Sequence, residues 1–399
     1  MISAAAGACC ALESWIRSNG WRGPDICDAK STKLYQYAYL KAQHNRLGRY
    51  ALYLPLALLE QRAHGAVRAV LRVPQREYPQ AIAQIARGYL SRFRVTADAA
   101  YADEATRCLR WLIANPSPGF SGPLWGQPYD WPSEQLIPAH TPRSTVTSIV
   151  IEALIDGYET LSDGQCLETA QAAAHAYLKH FKPSIQSPRG ICFPYTTIDS
   201  FTVHNASAVI AAALLATAKH TGEESLRGPA MEALGFTVSH QLESGAWRYW
   251  APPHAPGRID NYHTGFILES LTQAKRCLGA DFPWTKPLER GRQFFCENLV
   301  TESGVPKMLP DRTHPIDVQS CAESIVTLLH CVQDGMAITP LESAICWGVE
   351  NLQNRDGSFA FRIYQGGRID RSPYIRWGQS WMFRSLAWYL EHIAESAHD

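Results

Sequence analysis

Apolar residues recur along this chain at helical spacing, and alternation of the strand kind is scarce. Two kinds of segment alternate. Amphipathic stretches at 3–18, 97–114, 164–181, 226–242, 284–300 and 339–353 predict outer helices. In 284–300, Lys286, Glu289, Arg290 and Arg292 share the segment with Leu288, Phe294 and Phe295. Stretches richer in small and apolar residues, at 46–62, 144–160, 204–220, 262–278, 317–333 and 377–395, predict inner helices. Ala206 to Ala218 contains only Ala, Ile, Leu, Val, Ser and Thr, the signature of a helix buried on most sides. A further helix is predicted at 77–93.

A second pattern overlies the first. Gly190-Ile-Cys-Phe-Pro-Tyr195, Gly245-Ala-Trp-Arg-Tyr-Trp250, Gly304-Val-Pro-Lys-Met-Leu309 and Gly357-Ser-Phe-Ala-Phe361 each precede an inner segment. Their glycines are 55, 59 and 53 residues apart, and a looser copy at Pro118-Gly119-Phe120 runs through Trp125 and Trp131. Such a period means stacked copies of one helical hairpin. Six pairs of outer and inner helices predict an all-α fold, an (α/α)6 toroid spanning 1–399 as a single domain. Inner helices line its cavity, and the loops leading into them converge on one mouth. The proline-rich stretches Pro116–Pro142 and Pro252–Pro256 read as long loops of this kind rather than linkers.

The glycine–aromatic element has a structural reading first. Gln241-Leu-Glu-Ser-Gly245-Ala-Trp247 and Gln353-Asn-Arg-Asp-Gly357-Ser-Phe359 are similar to the Gln–Gly–Trp stitches of terpene cyclases and related α/α barrels. The glutamine is expected to cap a helix end, and the aromatic to pack between hairpins and hold the ring shut.

The polar residues after each stitch carry the candidate chemistry. Asp260, Tyr262, His263 and Asp317 are the candidate catalytic groups. Asn261, Arg376, Arg371, Trp377, Trp250, Arg143, His204 and Glu323 are candidates for holding substrate. Asp260 and Asp317 also stand where helix N-caps belong, and His204 begins an inner helix, so capping and burial compete with catalysis. Glu323 is an uncommon charge in an apolar stretch and is expected to face the cavity or pair with an arginine. Twelve tryptophans, several in these loops, offer flat faces suited to sugar rings.

Composition narrows the partners. Hydrophobic residues make up 46% and charged residues 19%, in the range of a globular protein with a large core. A net charge of +0 argues against a general grip on nucleic acid or an anionic membrane, leaving a local basic cluster open. No run of about 18 apolar residues predicts a membrane span. Glu13 and Arg17 interrupt the apolar N-terminus, which also lacks a basic start. The 11 cysteines show no zinc-ligand spacing and read as reduced thiols of a cytoplasmic protein. No metal or cofactor is expected.

Trp247-Arg-Tyr-Trp250, Ile259-Asp-Asn-Tyr-His-Thr-Gly-Phe266, His314-Pro-Ile-Asp-Val-Gln-Ser-Cys-Ala-Glu323 and Arg376-Trp-Gly-Gln-Ser-Trp-Met382 resemble motifs of the VpsJ-like family. These are bacterial polysaccharide-biosynthesis proteins associated with exopolysaccharide and capsule genes. The resemblance runs from Gly20-Trp-Arg-Gly-Pro-Asp25 to the last helix and implies a toroid and a glycan or oligosaccharide substrate, without a settled reaction. A terpene-cyclase likeness is weaker: Gln319 stands where the proton-donating aspartate of an Asp-rich motif would be. Three readings of function follow. One is hydrolysis by Asp260 and Asp317. The second is uronate β-elimination or C5 epimerisation by Tyr262 or His263, with Asn261 and Arg376 neutralising the carboxylate. The third is a glycan-binding scaffold without turnover.

Overall fold

The computed structural model describes residues 2–133, 135–254 and 257–396. Of the predicted 252–256 loop, residues 255 and 256 lie outside that description. The chain opens with α1 (Ile2–Asn19). Four short helices follow, α2 (Lys33–His44), α3 (Arg46–Gly48), α4 (Leu54–Arg62) and α5 (His64–Val70). Then come α6 (Pro79–Thr96), α7 (Ala99–Ala114), α8 (Ser144–Leu161), α9 (Gly164–His180), α10 (His204–Thr221) and α11 (Glu224–Ser239). The chain finishes with α12 (Asn261–Leu278), α13 (Thr285–Asn298), α14 (Val318–Gln333), α15 (Thr339–Leu352) and α16 (Ser380–Ser396).

Helices α6, α8, α10, α12, α14 and α16 pack in that order, and α16 returns to α6, closing an inner ring of six. Each outer helix packs on the inner helix before it: α7 on α6, α9 on α8, α11 on α10, α13 on α12 and α15 on α14. The remaining outer helix, α1, packs against α16. The two ends of the sequence thus meet to complete the (α/α)6 toroid, and one apolar cluster runs from Ala5 to Leu390.

One assignment is corrected. The segment 46–62 is not an inner helix, and the first inner helix is α6, expected only as an extra. Segment 46–62 contains a π-helical stretch, Arg49–Tyr53, just before Pro55, and it leaves Leu47, Tyr50 and Leu58 exposed. Helix α6 instead repeats polar residues at Gln80, Gln84, Arg87, Ser91 and Arg94, spaced four and three apart along one face. A helix lining a polar lumen needs such a stripe, so apolarity was the wrong criterion for this position.

The stitches act between hairpins. Gln241 Nε2 donates to Gly245 O (2.9 Å) and to Pro287 O in α13 (2.8 Å). Gln353 Nε2 donates to Gly357 O (3.1 Å) and to Ala8 O in α1 (3.0 Å). Each glutamine therefore ties its turn to the next outer helix rather than capping its own. Gly245 and Gly357 sit at φ +91° and +90°, and a Cβ there would run into the backbone of Arg290 and Ala11. The looser copy is real at Trp125, whose indole donates to Leu112 O at 3.0 Å, as Trp247 donates to Thr237 O at 2.9 Å.

Candidate functional site

The loop of one hairpin supplies a carbonyl to the first turn of the preceding inner helix. Ser144 N donates to Tyr195 O (3.0 Å), Asn261 N to Met308 O (3.1 Å) and Val318 N to Phe361 O (3.0 Å). These bonds satisfy amides that a helix start leaves unpaired. They also draw successive loops into a rim around the end of the ring where the inner helices begin.

Asp260, Tyr262, His263 and Asp317 belong to that rim, and Trp377 joins them. Its indole Nε1 donates to Asp317 Oδ1 (3.0 Å), its ring meets Tyr262 edge-on (5.6 Å), and Arg376 lies over it (5.3 Å). Residues of three repeats meet here, without the Arg376 guanidinium, and the two carboxylates serve differently from an acid–base pair. Asp317 caps α14 through Gln319 N (2.9 Å) and accepts from Arg362 Nε (3.0 Å) and Nη2 (2.5 Å). A three-stranded sheet of Ile316–Asp317, Arg362–Ile363 and Ile369–Asp370 places Arg362 directly opposite it. Asp260 caps α12 through His263 N (3.1 Å) and accepts from Arg258 Nε (2.7 Å). Both carboxylate side chains have 0% exposure.

Asp260 makes one further contact. Its Oδ2 lies 2.8 Å from His263 Nδ1. Burial alone would raise the Asp260 carboxyl, but His263 and Arg258 hold it below the usual carboxylate range. An ionised carboxylate can only accept, so Nδ1 is the donor, and in the neutral imidazole the lone pair is then on Nε2. Among the described residues Nε2 has no hydrogen-bond partner, and the imidazole is 19% exposed. Tyr249 (4.5 Å) and Tyr262 (4.4 Å) flank the ring, and the Tyr262 hydroxyl accepts from Arg258 Nη2 (3.3 Å). Burial and then Asp260 push the Tyr262 phenol up, so it stays protonated. Trp250 continues this wall, packed on Tyr249 (4.8 Å) and His254 (5.1 Å).

Several candidates are placed elsewhere. Arg376 is buried and makes a two-pronged ion pair with Asp25, Nε–Oδ2 2.5 Å and Nη2–Oδ1 2.9 Å. Asn261 is fully buried and donates to Leu299 O (3.1 Å) and Ser324 Oγ (3.0 Å). Neither is free to neutralise a substrate carboxylate. Arg371 is exposed and bound to Asn354 (3.1 Å), outside the cluster. His204 turns toward α11, beside His240 (5.2 Å) and Phe236 (5.9 Å), and burial lowers its pKa to about 3. Among the described residues Glu323 forms no ion pair with an arginine. It is buried against Gly265 with Oε2 unpartnered, and burial raises its carboxyl far above the normal range.

Arg143 differs from its neighbours. It is 6% exposed, lies over Trp131 (4.7 Å) and Tyr129 (6.0 Å), and has a buried Nε without a partner. Arg376 and Arg68, buried nearby, are neutralised by Asp25 and Asp28. No carboxylate stands within ion-pair distance of Arg143 among the described residues. Such a site suits an anion brought by a ligand.

Sequence reading missed a second polar region at the far end of the ring. A cavity of about 330 Å³ is lined by Arg87, Arg94, Glu152, Glu269, Arg276 and Arg384, among others. Phe266 and Trp381 narrow the waist between it and the mouth to a void of about 30 Å³. Burial raises the Glu152 carboxyl despite Arg87, whereas Arg384 and Arg87 outweigh burial and lower that of Glu269. The polar stripe of α6 was the available signal for this lining.

No family model matches the chain, and no curated protein matches it by sequence. Solved structures do match in fold. A cellobiose 2-epimerase from Bacillus thermoamylovorans aligns at TM-score 0.64 and 12% identity, covering 79% of this chain and 88% of that one. An α-mannanase of family GH76 from Bacteroides thetaiotaomicron aligns at TM-score 0.60 and 13% identity, with coverage of 81% and 88%. A family 88 glycosyl hydrolase from Bacteroides vulgatus aligns at TM-score 0.56 and 12% identity, with coverage of 85% and 98%. At this identity the likeness is one of fold.

Proposed function

We propose that this protein is a carbohydrate-active enzyme that processes an acidic glycan at the mouth of the ring. His263 Nε2 transfers the proton and Asp260 positions the imidazole. The observation that carries this reading is the 2.8 Å contact between His263 Nδ1 and Asp260 Oδ2, which makes Nδ1 the donor and leaves Nε2, without a hydrogen-bond partner among the described residues, to act as the base when the imidazole is neutral. Tyr249, Trp250 and Trp377 supply flat faces for sugar rings, and Arg143 takes the anionic group. The toroid neighbours include an epimerase and glycan hydrolases, which supports a sugar substrate. A base of this kind on the same rim as an anion site favours abstraction of a proton next to a sugar carboxylate, as in epimerisation or β-elimination. Once the carboxylate is held at a cation, that proton is more acidic.

A second reading rests on the far cavity. Glu152 and Glu269 have carboxyls driven in opposite directions, the pattern of an acid paired with a base, and would suit hydrolysis. Asp260 and Asp317 are capped and sealed, so paired-carboxylate chemistry belongs at Glu152 and Glu269 if it occurs. Incubation with uronate-containing oligosaccharides in deuterated water, followed by product mass spectrometry, separates the cases. Deuterium on carbon supports epimerisation and an unsaturated product supports elimination. Gain of one water with no carbon-bound deuterium would replace the first reading with the second.

A further inference from the structure

Residues 20–78, inserted between α1 and α6, build a lid on the rim. Arg68 pairs with Asp28, Tyr78 Oη donates to Asp28 Oδ2 (3.1 Å), and His64 packs edge-on against Tyr374 (5.0 Å). The inward side of the lid buries Tyr35, Ala38, Glu60 and Val67. Its outward side is unusual. Nine of the twelve large hydrophobic side chains exposed among the described residues lie between Leu34 and Val70. Leu47 is 78% exposed, Tyr50 64% and Val70 81%.

The same segment is strongly basic. From Lys30 to Arg76 there are nine Lys and Arg against a single acid, Glu60, which is buried. Lys33, Lys41, Arg46, Arg49, Arg62 and Arg72 are exposed. None of these six has a carboxylate within ion-pair distance among the described residues. Some exposed arginines elsewhere find acids, as Arg107 finds Glu104 and Arg258 finds Asp260, and others such as Arg189, Arg248 and Arg355 do not, so what sets the lid apart is the clustering of its unpaired cations. The net charge of +0 over the whole chain hides this local excess.

We infer that the lid is a docking surface for an anionic lipid bilayer, lying in the plane of the headgroups. Short amphipathic helices with exposed leucine and tyrosine beside unpaired cations suit that interface, where apolar side chains enter the acyl boundary and cations meet lipid phosphates. A nucleic acid would use the cations and leave the leucines in water. A second copy of this lid would set one basic face against another. No helix among the described residues is long and apolar enough to cross a membrane, so the contact is made from one side. Docking through the lid turns the mouth toward the bilayer surface, where a membrane-attached glycan would be presented.

Flotation of the full chain with vesicles tests this. Vesicles of phosphatidylcholine mixed with phosphatidylglycerol are expected to carry the protein, with binding weakened at high salt. Vesicles of phosphatidylcholine alone should bind at least about tenfold more weakly. The variant Arg46→Glu/Arg49→Glu/Arg62→Glu should lose binding while its melting temperature stays near that of the parent. Leu47→Ser/Leu58→Ser/Leu59→Ser should lose it by the apolar route. If the leucine variant fails to fold, the charge reversal still decides. Absence of flotation with anionic vesicles overturns the inference, as does binding that survives charge reversal. A stable dimer by light scattering that the leucine changes dissolve would assign the face to a second copy instead.

Discussion

Asp260 Oδ1 caps the first turn of α12 while its Oδ2, on the same carboxylate, holds His263 Nδ1 at 2.8 Å. One side chain thereby fixes both where the helix starts and which imidazole nitrogen is basic. The two tasks separate under mutation. Asparagine is a good N-cap, and Arg258 is half exposed, so Asp260→Asn should cost less than about 2 kcal/mol of stability. An amide can donate to Nδ1 and favour the wrong tautomer, so turnover should fall roughly a thousandfold or more. Thermal melts paired with product assays read both effects, and full activity in Asp260→Asn would remove the imidazole from the mechanism.

Arg143 and Arg376 should respond oppositely to loss of charge. Arg376→Gln strands Asp25 as a buried carboxylate and should cost about 3–5 kcal/mol. Arg143→Gln removes a cation with no counter-ion among the described residues and should leave stability equal or improved. The same change should weaken acidic oligosaccharides by about tenfold or more and leave neutral ones untouched. Denaturant midpoints with calorimetric titrations check this pair, and equal loss for neutral sugars would deny Arg143 its anion.

Trp247 is a scaffold residue by its contacts. It is buried, donates to Thr237 O at 2.9 Å and leaves no space for a Cβ at Gly291. Trp247→Ala should therefore destabilise by about 3–5 kcal/mol. Activity per folded molecule should hold at temperatures below the new transition. An unchanged melting temperature with lost sugar binding would move it into the site.

Stability should fall on mild acidification. Burial depresses His204 and His330 to about 3 and His64 to about 4, so all three stay neutral in the fold. In the unfolded chain they protonate near pH 6.5, so below that pH the unfolded state binds more protons and gains relative to the fold. At pH 5, His204 alone should cost about 2 kcal/mol. Denaturant titrations between pH 7 and pH 4.5 should show a smaller decline for His204→Gln than for the parent. Parallel declines would mean that His204 is not kept neutral.

The helical periods, the 53–59-residue repeat and the structural role of Gly245 and Trp247 were legible in the chain. Periodicity, turn glycines and N-caps are short-range properties, and a linear sequence carries them directly. So was the gathering of Asp260, His263 and Asp317, because equivalent loops of a closed repeat must meet. What the chain could not state was which partner each charge would find. Arg376 is neutralised by Asp25, 351 residues away, only because α16 closes on α6. Asp317 is sealed by Arg362 through the register of a three-stranded sheet, and Arg143 has no acid partner among the described residues. The same closure decided that α6, not 46–62, lines the lumen and that Leu47, Leu52, Leu58 and Leu59 are left exposed. Local sequence sets which elements form and where they start. Whether a charge becomes a cap, an ion pair or a ligand site depends on burial and on partners that only the closed ring brings within a few ångströms.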